Sequence, residues 1–279
     1  MSEILHEPNA NEIVLIDLSS IAHPIWHMSQ AEPDPNHSSQ AVVARVRALA
    51  NGHVHVAICC DSGRSFRKDI ADTYKANRPP AEAMLGHQIT LACEQLQADG
   101  FPVWSVKGFE ADDLIASATA QAVMSDEQRT VLIVSADKDL LQLVSPRVRA
   151  MSSRDGAVFD ADGVKAKLGV RPDQVRDYLT LVGDAADNIK GANKVGPKTA
   201  ADLLTKFGSI DGIYQALDKN GTQFTPGLAT NLREFQPRME TARSLVALRF
   251  DVEVPFADVF LPRVPKEVAT FGMDEEVDE

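Results

Sequence analysis

At 279 residues with 44% hydrophobic content, the chain has enough apolar material for a proper core in one large or two modest domains. A formal net charge of -12 argues against a protein that coats nucleic acid by bulk charge, and no apolar run reaches the roughly 18 residues of a membrane span. The polar start, Met1 to Glu12, lacks the hydrophobic region of a secretory signal, and Cys59, Cys60 and Cys93 are odd in number without C-x-x-C spacing, which predicts buried free thiols, no disulfide framework and a cytoplasmic setting.

Ile13 to Ile16 is a continuous apolar run ending in Asp17, the pattern of a buried parallel strand that delivers a carboxylate at its C-terminal end. Leu18 to Gln30 is irregular or helical, Pro33 to Asn36 reads as a surface loop, and Ser38 or Ser39 caps a helix through Val42, Val46 and Leu49. A second strand, His53 to Cys60, turns its histidines outward and ends at Asp61. From Asp61 to Pro80 five basic residues (Arg64, Arg67, Lys68, Lys75, Arg78) face three acids, so this stretch is expected to stand proud of the fold.

Leu85, Ile89, Ala92 and Leu96 recur at helical spacing from Ala83 to Asp99, Gly100 stops that helix, and a strand follows from Pro102 to Val106. Directly after it, Glu110, Asp112 and Asp113 place three carboxylates in four residues. Acids favour a helix's first turn, so these alone are compatible with the plain start of an amphipathic helix, Glu110 to Val123. A further strand, Thr130 to Val134, again ends in acids, Asp137 and Asp139.

Strands alternating with helices predict a parallel α/β sheet, in which ligands bind beyond the carboxyl ends of the strands. Asp17, Asp61, Glu110, Asp112, Asp113, Asp137 and Asp139 all map to that edge. Charges about 4 Å apart repel by roughly 4 kcal/mol at an effective dielectric near 20, so such a cluster needs protonation, separation or cations. All-oxygen donors without His or Cys suit Mg²⁺ or Mn²⁺. After Val148 the pattern turns mostly helical, with segments at Asp160 to Leu168, Pro172 to Val182 and Thr199 to Phe207. Between the last two lie Asp184 and Asp187, then a glycine-rich turn with Lys190, Lys194, Gly196, Lys198 and Thr199, whose backbone N–H groups and lysines can take a phosphate. An ordinary helical hairpin is the plainer reading of that turn. Asp274 to Glu279 reads as an acidic tail.

Four segments in order, CCDSGRSFRKDIADTYKANRP, GFEADDLIA, VSADKDLLQLV and GDAADNIKGANKVGPKTAADLL, resemble the 5′-to-3′ exonuclease and flap endonuclease family, over about Ile13 to Val254. The resemblance implies a PIN-like, Rossmann-like parallel sheet flanked by helices: an α/β nuclease core over 1–155 with a helical arch near 64–87, a helical DNA-binding region over 156–255 with a helix-three-turn-helix near 183–208, and an acidic, partly disordered tail over 256–279. It further implies that Asp17, Asp61, Glu110, Asp112 and Asp113 surround one divalent ion and Asp137, Asp139, Asp184 and Asp187 serve a second. Lys75 would meet the scissile phosphate, Arg78 would assist, Tyr74 would stack on a terminal base, Arg64, Arg67 and Lys68 would bind DNA, and the hairpin would hold duplex backbone around a K⁺ ion. A solvated helix face is the plainer reading of Lys75 and Arg78.

Two regions depart from that pattern. Leu18 replaces the family's usual Gly, and Ala22-His23-Pro24 stands where Tyr-Arg is common; Ala192 likewise alters the hairpin's G-V-x-G-I-G pattern. The expected activity is metal-dependent cleavage of DNA, and of the RNA strand of a hybrid, from 5′ ends or at flaps, by a stand-alone monomer working beside a separate polymerase. A non-catalytic DNA-binding scaffold and a PIN-like ribonuclease are the alternatives.

Overall fold

The computed structural model describes residues 9–29, 36–78 and 83–265. Residues 33–35 of the expected surface loop, 79–82 of the expected arch and the acidic stretch 274–279 lie outside the described residues. In chain order the elements are β1 (Glu12–Asp17), α1 (Ser19–Ser29), α2 (His37–Ala50), β2 (His55–Cys59), α3 (Arg67–Ile70), α4 (Ala83–Ala98), β3 (Val103–Trp104), α5 (Ala111–Ser125), β4 (Thr130–Val134), β5 (Val148–Met151) and β6 (Val158–Phe159). There follow α6 (Ala161–Leu168), α7 (Val175–Val182), β7 (Gly183–Asp184), β8 (Ile189–Lys190), α8 (Pro197–Phe207), α9 (Ile210–Asn220) and α10 (Pro226–Val246).

Six strands form one sheet in the order β3-β2-β1-β4-β5-β6, parallel except for β6. β1 is buried along its whole length, with Leu15 between Ala57 and Ile133, which is why its sequence runs apolar without alternation. Val14, Ile16, Val56 and Ile58 face a core made with α1, α2 and α4, while Ile13, Leu15, Ala57 and Ile133 face α5 and the segment around Leu248 to Val259. The chain leaves β1 toward β2 and β3 and returns to β4 on the other side. The carboxyl ends of β1 and β4 therefore flank a topological switch point, where a crevice opens.

A third core is helical, built around Phe235, Leu179, Val175, Leu204 and Ile213, and Tyr74, Leu141 and Ala150 reach into it. Two of its helices, α9 and α10, escaped the sequence reading, as did β5 and β6, whose short runs are decided by pairing with β4 and with each other. The expected strand Pro102 to Val106 shrinks to Val103–Trp104. The tail expected from 256 instead opens with a 3-10 helix, Phe256–Phe260, docked on β2: Val259 is buried and its carbonyl lies 3.1 Å from His55 Nδ1. Cys59, Cys60 and Cys93 are free thiols, the first two buried and the last half-buried. Among the described residues, no helix is long and apolar enough to cross a membrane.

The segment expected to project from the fold does so only in part. Within the described residues it comprises the single turn of α3, a run of tight turns to Arg78 and the start of α4. Asn77 Nδ2 donates to Ala185 O at 2.7 Å, Asn188 Nδ2 to Thr73 O at 2.8 Å and Lys75 N to Asp187 O at 2.9 Å, so its far end is laced to the loop joining β7 and β8. Lys75 adopts a left-handed backbone (φ 52°) to make that contact.

Candidate active site

A cleft of about 590 Å³ opens at the switch point. Seven of the nine predicted acids line it: Asp17, Asp61, Glu110, Asp112, Asp137, Asp184 and Asp187. The first five lie at or just after strand ends of the sheet, and the last two come from the end of β7 and the loop that follows it, so two halves of the chain supply one acidic floor. Lys75 and Arg78 also line it, together with Lys138, Arg154, Lys167 and His23, which were not predicted as site residues. Lys138 lies between Asp137 and Asp139, whose charges obscure it in the sequence.

Each acid is held by local hydrogen bonds. Asp17 Oδ2 accepts from Ser135 Oγ at 2.6 Å, and Asp61 accepts from Ala111 N (2.8 Å) and Ser19 Oγ (2.7 Å). Glu110 stands at the N-terminus of α5, where its N–H donates to Asp113 Oδ2 at 3.3 Å. Asp137 Oδ1 accepts from Asp139 N at 2.9 Å, and Asp184 Oδ1 from Ala186 N at 2.7 Å. Basic side chains occupy the rim: Lys75 Nζ is 2.5 Å from Glu110 Oε1, Arg78 pairs with Asp187, and Lys138 pairs with Asp184. Burial alone would drain charge from Lys75, yet Glu110 and Asp187 outweigh it and hold its ammonium protonated beyond the ordinary lysine range.

The centre of the cluster lacks such compensation. Burial pushes the Asp17 carboxyl up to about 7, against the Ser135 hydrogen bond and with the charge of Asp61 adding to the shift. Burial first, then the charges of Asp137, Asp17, Asp139 and Asp61, raises Asp112 well above the carboxylate range, and burial with Asp137 does the same to Asp139. Asp139 is half-buried and is not among the residues that line the cleft. Its Oδ1 is buried with no hydrogen-bond partner, and the nearest cation, Lys138 Nζ, stands 3.9 Å away.

Among the described residues, no three His, Cys, Asp or Glu side chains stand as a ready metal cage. The carboxylates are instead drawn outward to serines, backbone N–H groups and the rim cations. A donor set of oxygens only, mutually repelling at its centre and with one buried oxygen orphaned, fits hard divalent cations.

Three expectations are corrected. Asp113 belongs to the interior: it is fully buried and receives Arg67 Nη1 (2.7 Å) and Nη2 (2.8 Å) as a fork. Arg67, expected on DNA, is itself 3% exposed and also donates to Glu110 Oε2, Leu245 O and Ala247 O, pinning α3, α5 and the end of α10 together. Tyr74, expected to stack on a base, is buried with its hydroxyl 2.9 Å from both Glu110 Oε2 and Asp187 Oδ2. A buried cation and a buried phenol need partners, and the nearby acids supply them. Of the other basic residues, Arg64 is exposed and paired with Asp69 at 2.7 Å, and Lys68 is half-exposed.

The hairpin lies between α7 and α8. Gly183 (φ 77°) and Gly191 pack backbone against backbone: a Cβ on Gly191 would fall 2.3 Å from Leu181 O. Gly196 caps α8 with Pro197 in its first turn, Thr199 is half-buried, and Lys190, Lys194 and Lys198 are exposed.

A parallel sheet with acids gathered at its switch point, joined to a glycine-hinged helical domain, defines a resolvase-like α/β domain with a SAM-type helical partner. The chain belongs to the 5'-3' exonuclease family: the N-terminal resolvase-like domain of that family matches residues 12–169 and its C-terminal SAM fold matches 170–266. It is 37% identical over 195 residues to a 5'-3' exonuclease of Aquifex aeolicus, covering 70% of this chain and 64% of that protein. It is 31% identical over 278 residues to DNA polymerase I of Pseudomonas aeruginosa, covering 95% of this chain and 30% of the polymerase, so the chain spans about a third of that relative. In fold it is similar to a bacteriophage T5 flap endonuclease solved with DNA and metal ions (TM-score 0.70, 20% identity, 84% of this chain and 88% of that one).

Proposed function

We propose that the chain is a divalent-metal-dependent nuclease that hydrolyses DNA phosphodiesters from 5′ ends and at 5′ flaps, with the RNA strand of a hybrid as a second substrate. The observation that carries this reading is the convergence of seven carboxylates from both halves of the chain in one cleft. Asp17, Asp61, Glu110 and Asp112 would hold one Mg²⁺ or Mn²⁺, and Asp137, Asp139, Asp184 and Asp187 a second. Metal held there would supply Lewis-acid chemistry: activation of water and neutralisation of charge on the leaving oxygen.

The chain's own groups do the rest. Lys75 and Arg78, which rest on Glu110 and Asp187, would meet the non-bridging oxygens of the scissile phosphate. Tyr74 bridges the same two acids from behind and keeps them converged. Lys190, Lys194 and Lys198, with the start of α8, hold duplex backbone without reading sequence, and a K⁺ ion at the hairpin would assist. The family likeness supports this reading, as does the T5 protein's structure with DNA and metal ions. We further propose a cytoplasmic monomer with a nuclease core near 1–155 and a DNA-binding region near 156–255, acting beside a DNA polymerase.

The test is incubation with labelled 5′-flap DNA, blunt duplex, RNA-DNA hybrid and single-stranded RNA, each with Mg²⁺ or EDTA. Mg²⁺-dependent flap cleavage is expected. Binding without cleavage would leave a scaffold, and cleavage of single-stranded RNA alone would make it a ribonuclease.

A further inference from the structure

Five lysines and arginines line the acidic cleft, and they divide into two kinds. Lys75, Arg78 and Lys138 are each paired with a carboxylate of the floor. Arg154 and Lys167 have no carboxylate within ion-pair distance among the described residues; Lys167 Nζ lies 4.4 Å from the centre of the Phe159 ring. Both are exposed. A cation beside seven acids that pairs with none of them is available to a phosphate.

Arg154 is also placed rather than loose. It sits on the turn between β5 and β6, whose neighbouring residue Ser153 is buried and tied from three directions: its Oγ is 3.1 Å from Ser20 Oγ on α1, its carbonyl accepts from Arg45 Nη2 at 3.0 Å, and its N–H reaches Ser135 O at 3.4 Å. Gly156 N to Ser152 O and Ser152 N to Ala157 O, both 2.9 Å, close the turn. Asp155 is folded back onto it by accepting from Ala157 N at 3.2 Å. Lys167 reaches the same cleft from the last turn of α6. Lys75 and Arg78 come from the segment after β2, on the other side of the switch point.

We propose that Arg154 and Lys167 form a second phosphate-binding station of the cleft, holding a phosphate of the nucleic-acid strand adjacent to the one cleaved. The proposal rests on the nuclease reading above. A strand drawn over a floor of seven carboxylates needs cations on both sides of the scissile position, and Lys75 and Arg78 stand on one side only. The station carries no base information and acts equally on ground and transition states, so it governs affinity rather than the saturated rate.

The experiment compares wild type, Arg154→Ala/Lys167→Ala, Arg154→Lys and Lys165→Ala, the last an exposed lysine of α6 that does not line the cleft. Binding of a labelled 5′-flap DNA is titrated in Ca²⁺ at several salt concentrations, beside single-turnover cleavage at saturating enzyme in Mg²⁺. The double variant should bind about tenfold or more weakly, with a log-log salt slope shallower by about 0.7 to 0.9 for the one lost phosphate. Its saturated rate should stay within a few-fold of wild type, Arg154→Lys should recover most of the affinity, and Lys165→Ala should match wild type. Unchanged affinity and slope in the double variant would overturn the station, as would a loss confined to the saturated rate. A wild-type protein that binds the flap but does not cleave it would instead sink the nuclease reading, and the difference in salt slope would still decide the station.

Discussion

Asp112 and Asp113 are adjacent acids with opposite expected roles, and exchanging each for alanine separates site from scaffold. Asp113→Ala leaves the buried Arg67 guanidinium without its forked partner, and breaking a buried pair from one side costs roughly 3–5 kcal/mol. Glu110 Oε2 and the carbonyls of Leu245 and Ala247 remain on the guanidinium, which argues for the lower end, about 3 kcal/mol. At about 2–4 °C per kcal/mol for a chain of this order of size, the expected fall in Tm is roughly 6–12 °C. Arg249 N also loses its acceptor, Asp113 Oδ1 at 3.1 Å, which loosens the segment after α10. Asp112→Ala removes a charge that burial and four neighbouring acids already disfavour, so the metal-free protein should keep or gain stability while cleavage is abolished. The assay is calorimetry in EDTA for both variants beside flap cleavage in Mg²⁺. An Asp113→Ala protein melting within about 2 °C of wild type, or an Asp112→Ala protein cleaving at the wild-type rate, would refute the division.

The metal-free protein should also lose stability as pH rises from 6 to 8. Asp17 near 7, with Asp112 and Asp139 raised, binds protons more tightly folded than unfolded, so its contribution is present at acid pH and is lost as pH climbs through the folded values. His23, lowered by burial, works in the opposite sense but is one group against three. Mg²⁺ should therefore raise Tm more at pH 8 than at pH 6, and a flat or rising Tm in EDTA over that range would contradict the clustering. Lys75→Ala should slow single-turnover flap cleavage by about 10² to 10³ while changing Kd less than about tenfold, as expected for a cation acting chiefly in the transition state; a loss confined to Kd would make it a docking residue. Gly191→Ala forces a Cβ onto Leu181 O, Val182 C and Gly183 N, all under 3 Å and all backbone. It should destabilise the hairpin by about 1–3 kcal/mol or more, seen as faster proteolysis between α7 and α8 and weaker duplex binding, and wild-type protease resistance would count against that close packing.

The strands that carry the site, and the type of residue at their ends, are legible from the order of residues alone. β1, β2 and β4 are apolar runs ended by acids, because a strand buried on both faces has no polar alternation to obscure it and a parallel sheet sends all its C-terminal ends to one edge. Short elements were not legible in the same way. β5, β6 and the two-residue strands exist through pairing with partners distant in sequence, and α9 and α10 through the third core. Only the tertiary structure could sort one charge from another. Asp112 and Asp113 differ by one position along α5, which rotates one toward the cleft and the other into the interior, where Arg67 waits on a turn 46 residues earlier. The stretch from Arg64 to Arg78 reads as charged, mostly basic and standing proud of the fold. In the fold Arg67 and Tyr74 point inward because acids from α5 and the β7–β8 loop converge beneath them, and a buried charge or phenol is stable only where such partners meet it.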